Sequence, residues 1–151
     1  MSRIVLRMPV GGFSENCSIR SDRFGSSQNY VGDNELFKIQ SEVIRGIADK
    51  GPAIFVGRCS NYILRDRKDC LNTFICAPME YRAERIVRLY GESDKKPMER
   101  LKDKDTRRSV SYKHFTGREW GDCTNYDVML NSANIGIERC ADIIVGIAKD
   151  E

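Results

Sequence analysis

The sequence predicts an α/β fold with a parallel sheet and helices on its faces. Three observations carry this. Helical and strand patterns alternate from residue 34 to the end, the order that parallel sheets with crossover helices require. The run Ala53-Ile54-Phe55-Val56 is unbroken in its apolar character, as in a strand covered on both faces. The helical segments carry apolar residues at spacings of three and four, one face each.

Residues 1–33 form an irregular N-terminal segment in this reading. Ile4-Val5-Leu6 is short enough for a strand, but residues 11–32 are rich in Gly, Ser and Asn. The first helix is expected at 34–50, capped by Asp33 or Asn34, with a stripe of Leu36, Ile39, Val43, Ile44 and Ile47. Gly51-Pro52 ends it. The strand 53–56 follows, then a short helix from Asn61 to Leu64. A second strand spans Asn72-Thr73-Phe74-Ile75-Cys76.

Pro78 opens the next helix at its favoured first position, with Met79, Ala83, Ile86, Val87 and Tyr90 as its stripe, and Gly91 stops it. A basic segment follows, helical to about Tyr112. A glycine-bracketed loop carries Trp120. Asn125-Tyr126-Asp127 turns into a third strand ending at Asn131-Ser132. The last helix is expected at 135–148, with Ile137, Ala141, Ile144, Val145 and Ala148 inward.

The 151 residues suit one domain. Charged residues at 31% and hydrophobic residues at 40% exclude a disordered or membrane composition. No apolar run is long enough to span a membrane, and Arg3 and Arg7 interrupt the early apolar stretch, so no signal peptide is read and a cytoplasmic location is expected. The six cysteines include no C-x-x-C pair, and His114 is the single histidine, which argues against a zinc site. No metal ligands are assigned, and the thiols are expected to be reduced.

Net charge is +3, too small to argue for nucleic acid. Its distribution says more. From Lys95 to Arg118 nine basic residues face three acids, a window of +6. Arg100, Lys104, Arg107 and Arg108 recur at three- and four-residue spacings and are expected to share one face. Like charges so placed repel, and an anion in front of them relieves the repulsion. The second candidate is Gly57-Arg58, which puts a guanidinium at the C-terminal end of a strand, the edge where open α/β sheets bind ligands. A planar guanidinium suits a phosphate because it binds two oxygens at once. The plain alternatives are a solvated charged face and a surface ion pair.

Three segments together, "ELFKIQSEVIRGIADKGPAIFVGRCSNYIL", "DKDTRRSVSYKHFTGREWGD" and "NYDVMLNS", resemble the cytidylate kinase-like family, relatives of the P-loop nucleoside monophosphate kinases. The resemblance covers residues 34–147. It implies a three-layer P-loop kinase-like fold, a five-stranded parallel sheet with flanking helices and a helical lid at about 94–121, within a domain of residues 34–151. It also implies transfer of the ATP γ-phosphoryl group to a nucleoside monophosphate, CMP by the family's label, with ATP and Mg²⁺ as cofactors.

By position, Gly57 and Arg58 are implied to hold the acceptor phosphate, with Lys113 and Arg118 also on the substrate. Arg107, Arg108 and Lys104 are implied as catalytic lid cations. Asn125 and Asp127 are implied near the adenine end of the donor. Arginines on a closing lid neutralise the charge that spreads in phosphoryl transfer and keep water out.

The sequence departs from that family at its start. No G-x-x-x-x-G-K-[ST] occurs. The family's first strand lies mid-sheet, between the strands at 53–56 and 72–76, so its absence implies an N-terminally incomplete sheet and weak or no catalysis. Three explanations follow. The reading frame is truncated; the chain is a degenerate relative; or residues 3–8 supply a substitute central strand. A second copy filling the gap would make a homodimer. The competing functional reading is a non-catalytic nucleotide- or phosphate-binding regulatory module. Nucleic acid ranks below both, since one Trp beside a +6 segment is common in proteins that bind none.

Overall fold

The computed structural model describes residues 3–7 and 29–149. The elements run, in chain order, β1 (Arg3–Arg7), α1 (Asn29–Lys50), β2 (Ile54–Val56), α2 (Ser60–Ile63), β3 (Cys70–Cys76), α3 (Met79–Tyr90), α4 (Pro97–Thr116), a 3₁₀ turn (Cys123–Asn125), β4 (Val128–Asn131), α5 (Ser132–Ile135) and α6 (Ile137–Lys149).

 The sheet is parallel throughout, in the order β2-β1-β3-β4. β1 lies between β2 and β3. Ile4 stands opposite Ile54 on one side and Leu71 on the other, and Leu6 opposite Val56 and Thr73.

This corrects the expected gap. The run Ile4-Val5-Leu6 fills the middle of the sheet, so the substitute central strand is the explanation that the topology supports. The described part of the N-terminal segment is therefore regular: β1 is a strand, and α1 begins at Asn29, not 34. The reason given for a homodimer, a partner strand in the gap, falls with it. Among the described residues the sheet has four strands against the five implied.

Alternation along the strands splits the core in two. On one face Ile44 and Ala48 of α1 pack with Ile63 and Leu64, and with Phe37, Phe55 and Cys70. On the other, Leu71, Ile75 and Leu130 meet Cys140 and Ile144 of α6. Adjacent residues Cys70 and Leu71 thus serve opposite cores, and helices flank both faces.

Two expectations about burial are corrected. β2 is the edge strand of the described sheet: Ile54 is 63% exposed and Val56 54%. An apolar run shows that a strand tolerates burial, not which neighbour covers it. On α1 the buried positions are Ser41, Ile44 and Ala48, while Ile39, Val43 and Ile47 are about half exposed. The stripe read from the sequence was too wide, and packing selects one side of it. α3 buries Ile86 but leaves Tyr90 out, and α6 buries Cys140 and Ile144 but leaves Val145 out.

No helix among the described residues is long and apolar enough to cross a membrane.

Candidate functional site

The backbone leaves β2 through three consecutive left-handed residues: Gly57 at φ 72°, Arg58 at φ 54° and Cys59 at φ 55°. Glycine takes this conformation freely, but each side-chain-bearing residue costs about 1–2 kcal/mol there. Two such residues in a row need compensation. α2 supplies part of it: the Ser60 amide donates to the Gly57 carbonyl at 3.1 Å, and the Tyr62 and Ile63 amides to the Cys59 carbonyl at 2.9 Å. Cys59, Ser60 and Asn61 are buried by the turn, whereas Arg58 is exposed at its tip. Backbone strain held in place by surrounding structure clusters at ligand clamps and switch regions, and here it presents one cation.

Asn61 ties this turn to α4. Its Nδ2 donates to the Tyr112 hydroxyl at 2.9 Å and reaches the Asn125 carbonyl at 3.4 Å. Tyr112 is completely buried. α4 is also seated at its ends, by buried Leu101 and Thr116 and by Phe115 stacked on Phe37 at 4.4 Å between ring centroids. Gly117, at φ 69°, ends the helix.

The inward side of α4 reads Leu101, Asp105, Arg108, Tyr112, at spacings of four, three and four. This divides the four cations expected on one face. Arg108 turns inward to Asp105, at 3.1 Å, while Lys104 and Arg107 are exposed. Arg100 donates to the Gly91 carbonyl at 3.3 Å. The Asp105 carboxylate is shared: Arg82 of α3 grips it with both terminal nitrogens, at 2.7 and 2.9 Å.

The remaining candidates lie around the C-terminal end of α4. Lys113 pairs with Glu119. The Arg118 guanidinium lies 5.5 Å from the centre of the Tyr62 ring, and its Nη1 is 3.4 Å from Asn125 Oδ1. Arg118, Asn125, Tyr62 and Asn61 therefore form one neighbourhood with the Arg58 turn's own helix. Asp127 is engaged elsewhere. Its carboxylate accepts from the Asn72 amide at 2.6 Å and from Asn72 Nδ2 at 3.1 Å, fastening β4 to β3. By register Val128 is level with Thr73 and Val56, so Asp127 precedes that level while Gly57 follows it.

Hydrogen bonds shift two carboxylates. The hydrogen bond and charge of Lys95 hold the Asp103 carboxyl below its ordinary range, with Arg107 adding to the effect. The Thr124 amide and hydroxyl do the same for Asp122. Burial raises the thiols of Cys70 and Cys140, which disfavours nucleophilic chemistry at either. No group of three metal-ligating side chains occurs among the described residues.

Sequence reasoning missed Asn61, Tyr112, Arg82 and Asp105. The inward stripe of α4 was readable from its spacing. The link to Arg82, 23 residues away, has no local signature.

This arrangement has relatives. The crystal structure of an uncharacterized protein from Eubacterium ventriosum ATCC 27560 superposes with a TM-score of 0.80 over 99% of each chain, at 19% identity, a likeness of fold alone. The cytidylate kinase of Halorubrum lacusprofundi (strain ATCC 49239) is 31% identical over 96 residues, covering 61% of this chain and 47% of that protein. The chain thus spans about half the length of that curated relative. The cytidylate kinase-like family matches residues 8–134, starting directly after the central strand and running through the Arg58 turn, α4 and β4. A match over that much of the chain assigns it: this protein belongs to the cytidylate kinase-like family.

Proposed function

We propose that the chain binds a nucleoside monophosphate through its phosphate, as the acceptor half of a P-loop-type nucleotide kinase. The observation that carries this reading is the left-handed turn that presents Arg58 alone, joined by Asn61 and Tyr112 to the helix that bears Arg108. The turn fixes the backbone from which the Arg58 guanidinium reaches out, and its planar fork can bind two phosphate oxygens at once. Arg108 and the exposed Arg107 and Lys104 on α4 supply further positive charge for the transferring group. CMP is the substrate that the family's label favours.

When bound, ATP with Mg²⁺ would supply the phosphoryl group. The described residues do not fit that cofactor well. The Asp127 carboxylate is committed to Asn72, the Asn125 side-chain amide donates to the Glu119 carbonyl at 3.0 Å, and among the described residues no group of three metal-ligating side chains stands ready for a cation. The same observations favour a second reading, a phosphate-binding module without turnover.

Calorimetry with each nucleoside monophosphate, and separately with ATP–Mg²⁺, tests the proposal. Monophosphate binding should be saturable and fall at least about tenfold in Arg58→Ala, the loss of one charge-assisted bidentate contact. Unchanged affinity in that variant would remove Arg58 from the site. A coupled assay of ADP release then separates the readings, because turnover supports the kinase and binding without it supports the module.

A further inference from the structure

We propose that Asp105 is a positioning residue for phosphate binding: braced by Arg82, it fixes the Arg108 guanidinium on the inward side of α4. The inference rests on the reading of this chain as a phosphate binder and assigns unequal roles to its two adjacent lid arginines. Three side chains make the unit. Arg82 and Asp105 form a two-bond pair between α3 and α4, with side-chain exposures of 14% and 17%, and Arg108 joins the same carboxylate with 32% exposure.

Geometry sets the order of hold. Both Nη atoms of Arg82 go to Asp105, and its Nε is buried with no acceptor among the described residues. The orientation of Arg82 thus depends on Asp105, and a fork-to-fork pair in turn fixes the carboxylate plane. That carboxylate meets Arg108 through one nitrogen at 3.1 Å. Two guanidiniums share one carboxylate, so the unit carries a net positive charge, and Arg108 is its more exposed cation. Arg107, one residue earlier, is exposed and lies outside this unit. A long cationic side chain left loose must be ordered on binding, whereas one already oriented avoids most of that cost.

Asp105 and Arg82 therefore act through Arg108. The test is a double-mutant cycle on the full chain, read as the dissociation constants of CMP and of inorganic phosphate by calorimetry. Asp105→Asn keeps the shape and removes the charge; it should weaken binding about three- to tenfold, the effect of having to order one long side chain on binding. Placed on Arg108→Ala, the same substitution should change affinity by less than about twofold, because its target is gone. Placed on Arg107→Ala, it should keep its full effect. Arg82→Lys, which retains charge but loses the fork, should reproduce a smaller loss.

Equal losses in both backgrounds would reduce Asp105 to general support of α4 and overturn the assignment. Unchanged or tighter binding in Asp105→Asn would overturn it too, since the carboxylate would then compete with the ligand. The two readings fail separately. Asp105-dependent binding of inorganic phosphate without any nucleotide binding would sink the kinase reading and keep this one. Monophosphate binding indifferent to Asp105 would do the reverse, and binding of neither ligand would sink both.

Discussion

Arg58 pays a conformational penalty that a glycine would not. Its φ of 54°, followed by Cys59 at 55°, lies in a region that side chains with a Cβ rarely adopt. Arg58→Gly should therefore raise stability by up to about 1 kcal/mol while removing monophosphate binding. Thermal melting and calorimetry on one sample check both halves. A variant that melts at or below the parent temperature would mean that the turn stores no strain. The sequence shows Gly57-Arg58 as a strand end with a cation; it does not show that the left-handed conformation continues past the glycine. That follows from the turn closing onto α2, with the Gly57 carbonyl accepting from Ser60.

At the scale of elements, the apolar patterns locate helices and strands but not their partners. β2 shows this. Its three residues are all large and apolar, yet Ile54 and Val56 are more than half exposed among the described residues. Val56→Thr should then change stability by no more than about 0.5 kcal/mol, the range for surface substitutions. Ile86→Ala, on the buried side of α3, should cost about 2–5 kcal/mol. Denaturant titration of both variants decides. A cost above 1 kcal/mol at Val56 would show that something beyond the described residues covers that face. α4 makes the complementary point. Its charge run reads as one basic face, but Asp105 draws Arg108 inward and leaves Lys104 and Arg107 outside.

For the molecule as a whole, β1 is the piece on which the architecture depends. It pairs with β2 on one side and β3 on the other, so five residues join the two halves of the sheet. Val5→Pro removes a backbone donor and forces a fixed φ in a strand paired on both sides. The variant should lose about 3 kcal/mol or more and unfold less cooperatively, as followed by circular dichroism in urea. An unchanged midpoint would place β1 outside the folded core. The same central position explains why the sequence offers Ile4-Val5-Leu6 as a strand without giving it a place in the sheet. A short apolar strand ahead of a Gly- and Ser-rich stretch has no local pattern that sets it at the centre of a sheet.

By itself the sequence determined the α/β class, the positions of most helices and strands to within a few residues, the concentration of positive charge at 95–118, and the family resemblance at Gly57-Arg58 and along the basic helix. These depend on periodicity and local composition, which neighbours along the chain fix. The tertiary structure alone decided that β1 is central, that β2 is an edge, that Asn61 meets Tyr112, and that Arg82 grips Asp105. Each of those is a contact between residues far apart in sequence. Such contacts are chosen by what packs and pairs in three dimensions, and no window along the chain contains both partners.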